Sequence, residues 1–253
     1  MAKIVVFDSG FGSLSVIKPI QKAIKSDLIY YADQKNFPYG KKSKSQLTKI
    51  ITNRIKFLEE KFNPDLIVLG SNTPSLLVEI NKKNVIKVLP PIKMAAKISV
   101  TGNIAILATF AVVKSKKLSD FIKRNRLPKC INVKKINASR LVQLVESAKF
   151  IDNENLCNTT VRKVLSAQFS KHNIDVATLS STHLPFLLPF LKKQFPHVTF
   201  LDPAQETASR IRKIIGKNSS KRNSMKIFTS SNPEKFQNHL WKMGIKKKVS
   251  FLN

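Results

Sequence analysis

Two short stretches carry most of the chemistry this sequence can offer. "GSNTPS", residues 70–75, follows the apolar run "LIVL", and "SSTHLPF", residues 180–186, follows "VATL". Each sets a serine, Ser71 or Ser181, where a strand should end and a helix begin, 110 positions apart (181 − 71). Other polar residues fall at the ends of further apolar runs: Asp8, Ser9 and Gly10 after "KIVVF", Asp33 after "LIYYA", Thr109 after "NIAILA". In open α/β sheets ligands bind beyond the carboxyl ends of the strands. Helix N-termini after such turns offer free N–H groups and the positive end of a dipole, which suits carboxylates or phosphates. Asn72, Thr73 and Thr182 add side-chain donors, and Asp8 can hold an amine. Together they describe a pocket for a small zwitterion or acid.

Taken singly, each residue has a plainer role. Ser9, Ser71 and Ser181 are of a type that commonly caps helix N-termini. His183 alone reads as structural, and Glu146 in "RLVQLVES" as a solvated helix residue. "DSGFGS" fits neither glycine-rich phosphate-binding pattern. His172, His197 and His239 fall outside any ligand spacing, so no metal site is expected.

The elements that must position these residues alternate along the chain. "KIVVFD", "LIYYA", "DLIVLG" and "VIKVL", then "NIAILA", "INVKKI", "DVATLS", "VTFL" and "KIFTS", are rich in Val, Ile and Leu with little polar alternation, as buried parallel strands are. Between them lie helical patterns such as "SKSQLTKIITNRIKFLEEKF", where Leu47, Ile50, Ile51, Ile55 and Leu58 recur at three- and four-residue steps. Strand–helix alternation predicts an α/β fold with parallel sheets. The two serine corners match, and so do "IVVFDSGFGSLSVIK" and "IAILATFAVVKSKKL". The expectation is two similar α/β domains with a ligand cleft between them. The first takes 1–98 plus 210–253 and the second 99–209, with "TGN" at 101–103 as the crossover and 215–224 as a polar loop before a last strand and helix.

Bulk properties narrow the class. Two cysteines, Cys130 and Cys157, outside any C-x-x-C pair, exclude a disulfide framework and fit a reduced, cytoplasmic setting. No targeting segment is visible, and "LPFLLPFL" is too short to span a bilayer, so no membrane is expected. The net charge of +30 is the outlier. Its lysines are scattered, and the sequence lacks the interleaved aromatics of a stacking surface, so nucleic acid is expected to bind only non-specifically, if at all.

The ordered motifs resemble the glutamate racemase branch of the aspartate/glutamate racemase superfamily over nearly the full length. "VFDSGFGSLSV" resembles its Asp-Ser-Gly loop, "YYADQKNFPYGKKS" its Asp followed by Pro-Tyr-Gly, "GSNTPS" its Cys-Asn-Thr corner and "SSTHLP" its Cys-Thr-His corner. "RLVQLVE" resembles the segment ending in a catalytic glutamate, and "DPAQETA" a late segment leading into a helix. The resemblance implies racemisation without cofactor, metal or pyridoxal phosphate: one residue removes the Cα proton and a second returns one from the opposite face. It implies Asp8 and His183 as groups assisting those two bases, and Glu146 as a further carboxylate. It also implies Ser9, Asn72, Thr73 and Thr182 as ligands of the amino-acid zwitterion, and Pro38, Tyr39 and Gly40 as the loop receiving the side-chain carboxylate.

Departures are specific. Both cysteine positions hold serine, Ser71 and Ser181, whose hydroxyls are far weaker acids than a thiol and act as bases only with strong activation. Val112 stands where a hydroxyl is expected, the Glu-Pro turn reads "KVLPP" with Pro90, and Leu184 replaces the usual tyrosine. The implied function is a glutamate-racemase-like protein taking a small acidic amino acid or dicarboxylate, with a homodimer allowed. The alternatives are an inactive binding protein, or a basic nucleic-acid-associated protein on the same scaffold.

Overall fold

The computed structural model describes residues 2–216 and 222–253; part of the expected 215–224 loop, residues 217–221, lies outside the described residues. The chain opens on β1 (Lys3–Asp8), a 3-10 turn, α1 (Ile17–Ala23) and β2 (Asp27–Ala32). α2 (Lys44–Phe62) starts at Ser43, whose hydroxyl accepts from Gln46 N while Gln46 Oε1 accepts from Ser43 N. This reciprocal cap satisfies two N–H groups the first turn would leave open. The stripe Leu47, Ile51, Ile55 and Leu58 then buries against Val5, Phe7, Ile67 and Leu69. β3 (Leu66–Leu69), α3 (Asn72–Leu77) and β4 (Val85–Lys87) follow.

Next come α4 (Ile92–Ile98), β5 (Asn103–Ala108), α5 (Phe110–Val113), α6 (Lys116–Arg124) and β6 (Asn132–Asn137). They are succeeded by α7 (Ser139–Glu146), α8 (Lys149–Asp152), α9 (Glu154–His172), β7 (Val176–Leu179), α10 (Leu188–Gln194) and β8 (Thr199–Leu201). The last run is α11 (Ala204–Ile215), β9 (Ser224–Thr229), α12 (Pro233–Lys242) and β10 (Val249–Phe251).

Two compact units result: residues up to Val88 together with those from Ala204 onward, and Leu89–Pro203. The first holds a sheet in the order β10-β9-β2-β1-β3-β4, the second a sheet in the order β6-β5-β7-β8. All pairings are parallel. Fold class therefore follows the expected alternation: parallel sheets flanked by helices. The self-resemblance also has a structural form. β2-β1-β3-β4 and β6-β5-β7-β8 are one strand order used twice, and β1 and β5 are the strands where the order reverses. Such switch points leave a crevice at the carboxyl ends of the strands.

In the second unit Ala95 of α4 packs with Ile104 and Val176. The turn after α4 is clasped by Asp175, which accepts from Ser99 Oγ (2.6 Å), Val100 N (2.6 Å) and Thr101 N (2.9 Å). Among the described residues no helix is long and apolar enough to cross a membrane; "LPFLLPFL" forms a 3-10 turn and the start of α10.

Candidate active site

Four neighbouring strands of the first sheet end level with one another. Asp8 pairs with Ala32, Ala32 with Thr229, and Phe7 with Leu69. The residues just beyond these ends are Ser9, Asp33, Ser230 and the Gly70–Ser71 corner. The corner begins with glycine for a spatial reason: a Cβ on Gly70 would lie 2.3 Å from Ser13 Cβ. Asp8 is buried and accepts from Ser9 N at 2.7 Å. The Tyr30 hydroxyl donates to Gly10 O (2.7 Å) and accepts from Ser13 Oγ (3.1 Å), which pins the loop after β1.

Helix capping does not explain the serines. Ser71 sits at the N-cap position of α3, but its side chain makes no capping bond. Ser9 and Ser181 are not at N-cap positions; Phe11 and His183 hold those of the nearby 3-10 turns. Asn72, beside Ser71, is buried and donates through Nδ2 to Val88 O at 3.0 Å. Its Oδ1 has no protein partner among the described residues.

Asp33 organises the loop that follows. It is fully buried, with its Oδ1 3.1 Å from Arg54 Nε. It accepts from Asn36 Nδ2 (2.8 Å), the Tyr39 hydroxyl (2.9 Å) and, more distantly, Ser230 Oγ (3.4 Å). Burial pushes its carboxyl up, against the pull of Arg54 and these hydrogen bonds. Burial, with the charges of Asp33 and Asp8, pushes the Tyr39 phenol well above its ordinary value, so it serves as a neutral donor. The Phe37–Pro38 peptide is cis, and Tyr39 to Lys41 form a 3-10 turn around Gly40. Arg54 and Ser230 were not singled out from sequence. Arg54 left a signal: it interrupts the buried stripe between Ile51 and Ile55 of α2, where a cation needs a buried partner. Ser230 left none, since it is 197 residues from Asp33.

In the second unit the corner follows β7, the counterpart of β3: Leu179 pairs with Leu107 as Leu69 pairs with Phe7. Ser181, Thr182 and His183 form a buried turn. Ser181 Oγ lies 3.4 Å from His183 Nδ1, and His183 Nε2 hydrogen-bonds to Glu146 Oε1 from the C-terminal end of α7. A carboxylate accepts, so Nε2 carries the proton it shares with Glu146. In the neutral imidazole that leaves the Nδ1 lone pair facing the serine hydroxyl. Serine, imidazole and carboxylate thus form a relay in which the imidazole can draw the hydroxyl proton. The separation is long for a finished hydrogen bond, as is common before substrate tightens a site. Glu146 is therefore a mostly buried partner of His183 rather than a solvated helix residue.

Val112, where the resemblance implies a hydroxyl, is fully buried. Cys157 is buried in α9, its thiol pushed up by burial and by Glu154, and Cys130 is exposed; neither is at a corner. Among the described residues no group of three or more His, Cys, Asp or Glu could hold a metal ion.

The fold and its matched corners define a class: a duplicated parallel α/β scaffold with a polar strand–turn corner after the third strand of each half. No protein-family model matches the chain. The chain belongs to the glutamate racemase family, being 31% identical over 274 aligned residues to the glutamate racemase of Bartonella quintana, across 98% of this chain and 97% of that protein. Solved structures share the fold. A glutamate racemase isoform from Bacillus anthracis superposes with a TM-score of 0.87 at 23% identity, covering 100% of this chain and 97% of that one. The Escherichia coli glutamate racemase, solved with L-glutamate and an activator, gives 0.84 at 24% identity, covering 99% and 98%.

Proposed function

We propose that this chain binds an acidic amino acid of the glutamate type and exchanges its Cα hydrogen by a two-base mechanism, with Ser71 and Ser181 in place of the family's thiols. The observation that carries the reading is the Ser181–His183–Glu146 relay. Glu146 holds the imidazole in the tautomer that can accept from Ser181. Ser181 Oγ, relieved of its proton, takes the Cα proton. The C–H electron pair then delocalises into the substrate carboxylate, and Ser71 returns a proton to the other face. Asn72, anchored through its Nδ2 to Val88 O beside Ser71, is taken as a ligand of the amino-acid zwitterion, as the family resemblance implies. The loop of Pro38, Tyr39 and Gly40 is braced by Asp33, and since the Tyr39 phenol donates to Asp33, what the loop offers an anion is main chain. Ser9, Thr73 and Thr182 complete the polar lining, and Asp8 is the acidic partner on the Ser71 side. No cofactor enters this scheme. The reduced, cytoplasmic setting rests on two free cysteines.

The test is proton NMR of L- and D-glutamate in D₂O, paired with glutamate-induced thermal shifts. The expected result is a glutamate-dependent shift, lost in Asn72→Ala, with slow loss of the Cα proton signal that Glu146→Gln slows further. A shift that survives Asn72→Ala would place the ligand elsewhere. Retained binding without exchange would leave a binding protein rather than an isomerase.

A further inference from the structure

The chain's one tryptophan stands in the open. Trp241, on α12, is 52% exposed, although so large a ring is usually well buried. It lines a groove of about 680 Å³ with Gln237 and Glu234 of the same helix and with Lys246, Lys247 and Lys248 of the segment leading into β10. Lys247 and Lys248 also line an adjoining depression of about 300 Å³, together with Lys226 and Phe228 of β9. The two hollows thus share the lysine run at Lys247 and Lys248. β10 is the edge of its sheet. On it Phe251 is exposed, with the Lys35 ammonium 5.7 Å from its ring centre. Residues 222–253 carry seven Lys and Arg against one acidic residue, Glu234.

We propose that this surface binds single-stranded nucleic acid, with a base stacked on Trp241 and the phosphates along Lys226 and Lys246 to Lys248, without reading base sequence. Stacking faces and a basic groove are the two parts of such sites. An acidic peptide would use the lysines and leave the indole in water. A duplex keeps its base faces inside its own stack and offers none to Trp241. A mononucleotide fills one hollow and leaves the second idle. Glu234 repels phosphate on the helix side of the groove, which places the backbone on the lysine side and the base on the α12 side. The linear sequence shows lysine runs without aromatics between them; the turn from α12 into β10 brings Trp241 beside the run.

Because Trp241 is the sole tryptophan, its fluorescence reports this groove alone. Titration of the full chain with an oligothymidylate of about ten nucleotides should quench it saturably. Four neutralised phosphates give a log–log salt slope of about −2.8, so binding should weaken roughly 50-fold between about 50 and 200 mM salt. Replacing Lys246, Lys247 and Lys248 together by Ala should weaken binding at least ~10-fold, against under ~2-fold for Lys114, Lys116 and Lys117 together. Trp241→Ala, read by anisotropy of a labelled strand, should weaken it at least ~5-fold. Equal losses from both lysine triples, or equal competition by polyglutamate, would overturn the proposal in favour of diffuse charge. Saturation by thymidine monophosphate at the same concentration would overturn it in favour of a mononucleotide pocket.

Discussion

At the scale of single residues, the exchange of thiol for hydroxyl is the decisive change. A cysteine thiol has a reference pKa of about 8.5 and is readily tuned to thiolate. A serine depends on its neighbours for every fraction of base strength, and here the neighbours are present: His183 faces Ser181, and Glu146 orients His183. Ser71→Cys with Ser181→Cys alters one atom at each corner and leaves that relay intact. The double variant should exchange the Cα proton of glutamate faster than wild type by at least ~100-fold, an expectation taken from the size of general-base effects. Each single variant should wash deuterium in from one enantiomer preferentially. NMR in D₂O reads both. A folded, glutamate-binding double variant that exchanges nothing would shift the cause to the buried methyls of Val112. Residue types gave the corners in advance, because serine after an apolar run is a local pattern. The pairing of Glu146 with His183, 37 residues apart, has no local pattern; family resemblance marked the two residues separately, and only the fold joins them.

At the scale of elements, what the sequence made legible is what short-range physics decides. The α2 stripe and nine of the strands lie where the spacing of apolar residues puts them. β10 was missed because three residues after a lysine run carry no periodicity; the edge of β9 recruits them. Asp175 shows a tertiary device of the same kind, one carboxylate holding the turn between α4 and β5. Partial burial pushes this carboxyl up, but hydrogen bonds from Ser99, Thr101 and Val100 outweigh it and hold it below its ordinary value. The sign follows. The unfolded carboxyl titrates near ~3.9, so the stabilisation is complete above that pH and is lost as pH falls through the lower folded value. Asp175→Asn should cost roughly 1–2 kcal/mol at pH 7, modest because the group is partly exposed. Urea melts at pH 7 and near pH 3 test it: the gap between wild type and variant should shrink at the lower pH, and an unchanged gap would mean the charge plays no part.

At the scale of the whole molecule, charge dominates. A net +30 on 253 residues means self-repulsion in the compact state. The ion pairs that oppose it are few among the described residues; Lys56–Glu60 and Lys193–Glu154 are exposed and weak. Salt screens long-range repulsion more than it harms such pairs. The thermal midpoint should therefore rise by a few degrees, roughly 2–5 °C, as NaCl increases to about 0.3 M, an increment of about 1 kcal/mol at this size. A falling midpoint in differential scanning calorimetry would show the ion pairs outweigh the repulsion.

The interrupted first unit has a consequence in time. Leu89–Pro203 is one unbroken length, while the first unit is finished by residues after Ala204. A ribosome delivers Asp27 197 residues (224 − 27) before its strand partner Ser224. At about 5–20 residues per second the wait is roughly 10–40 s. Through that interval β2 shows an open edge, a template for pairing with any passing strand. The second unit needs no later chain to complete it, whereas the first keeps the β2 edge uncovered until β9 has been made.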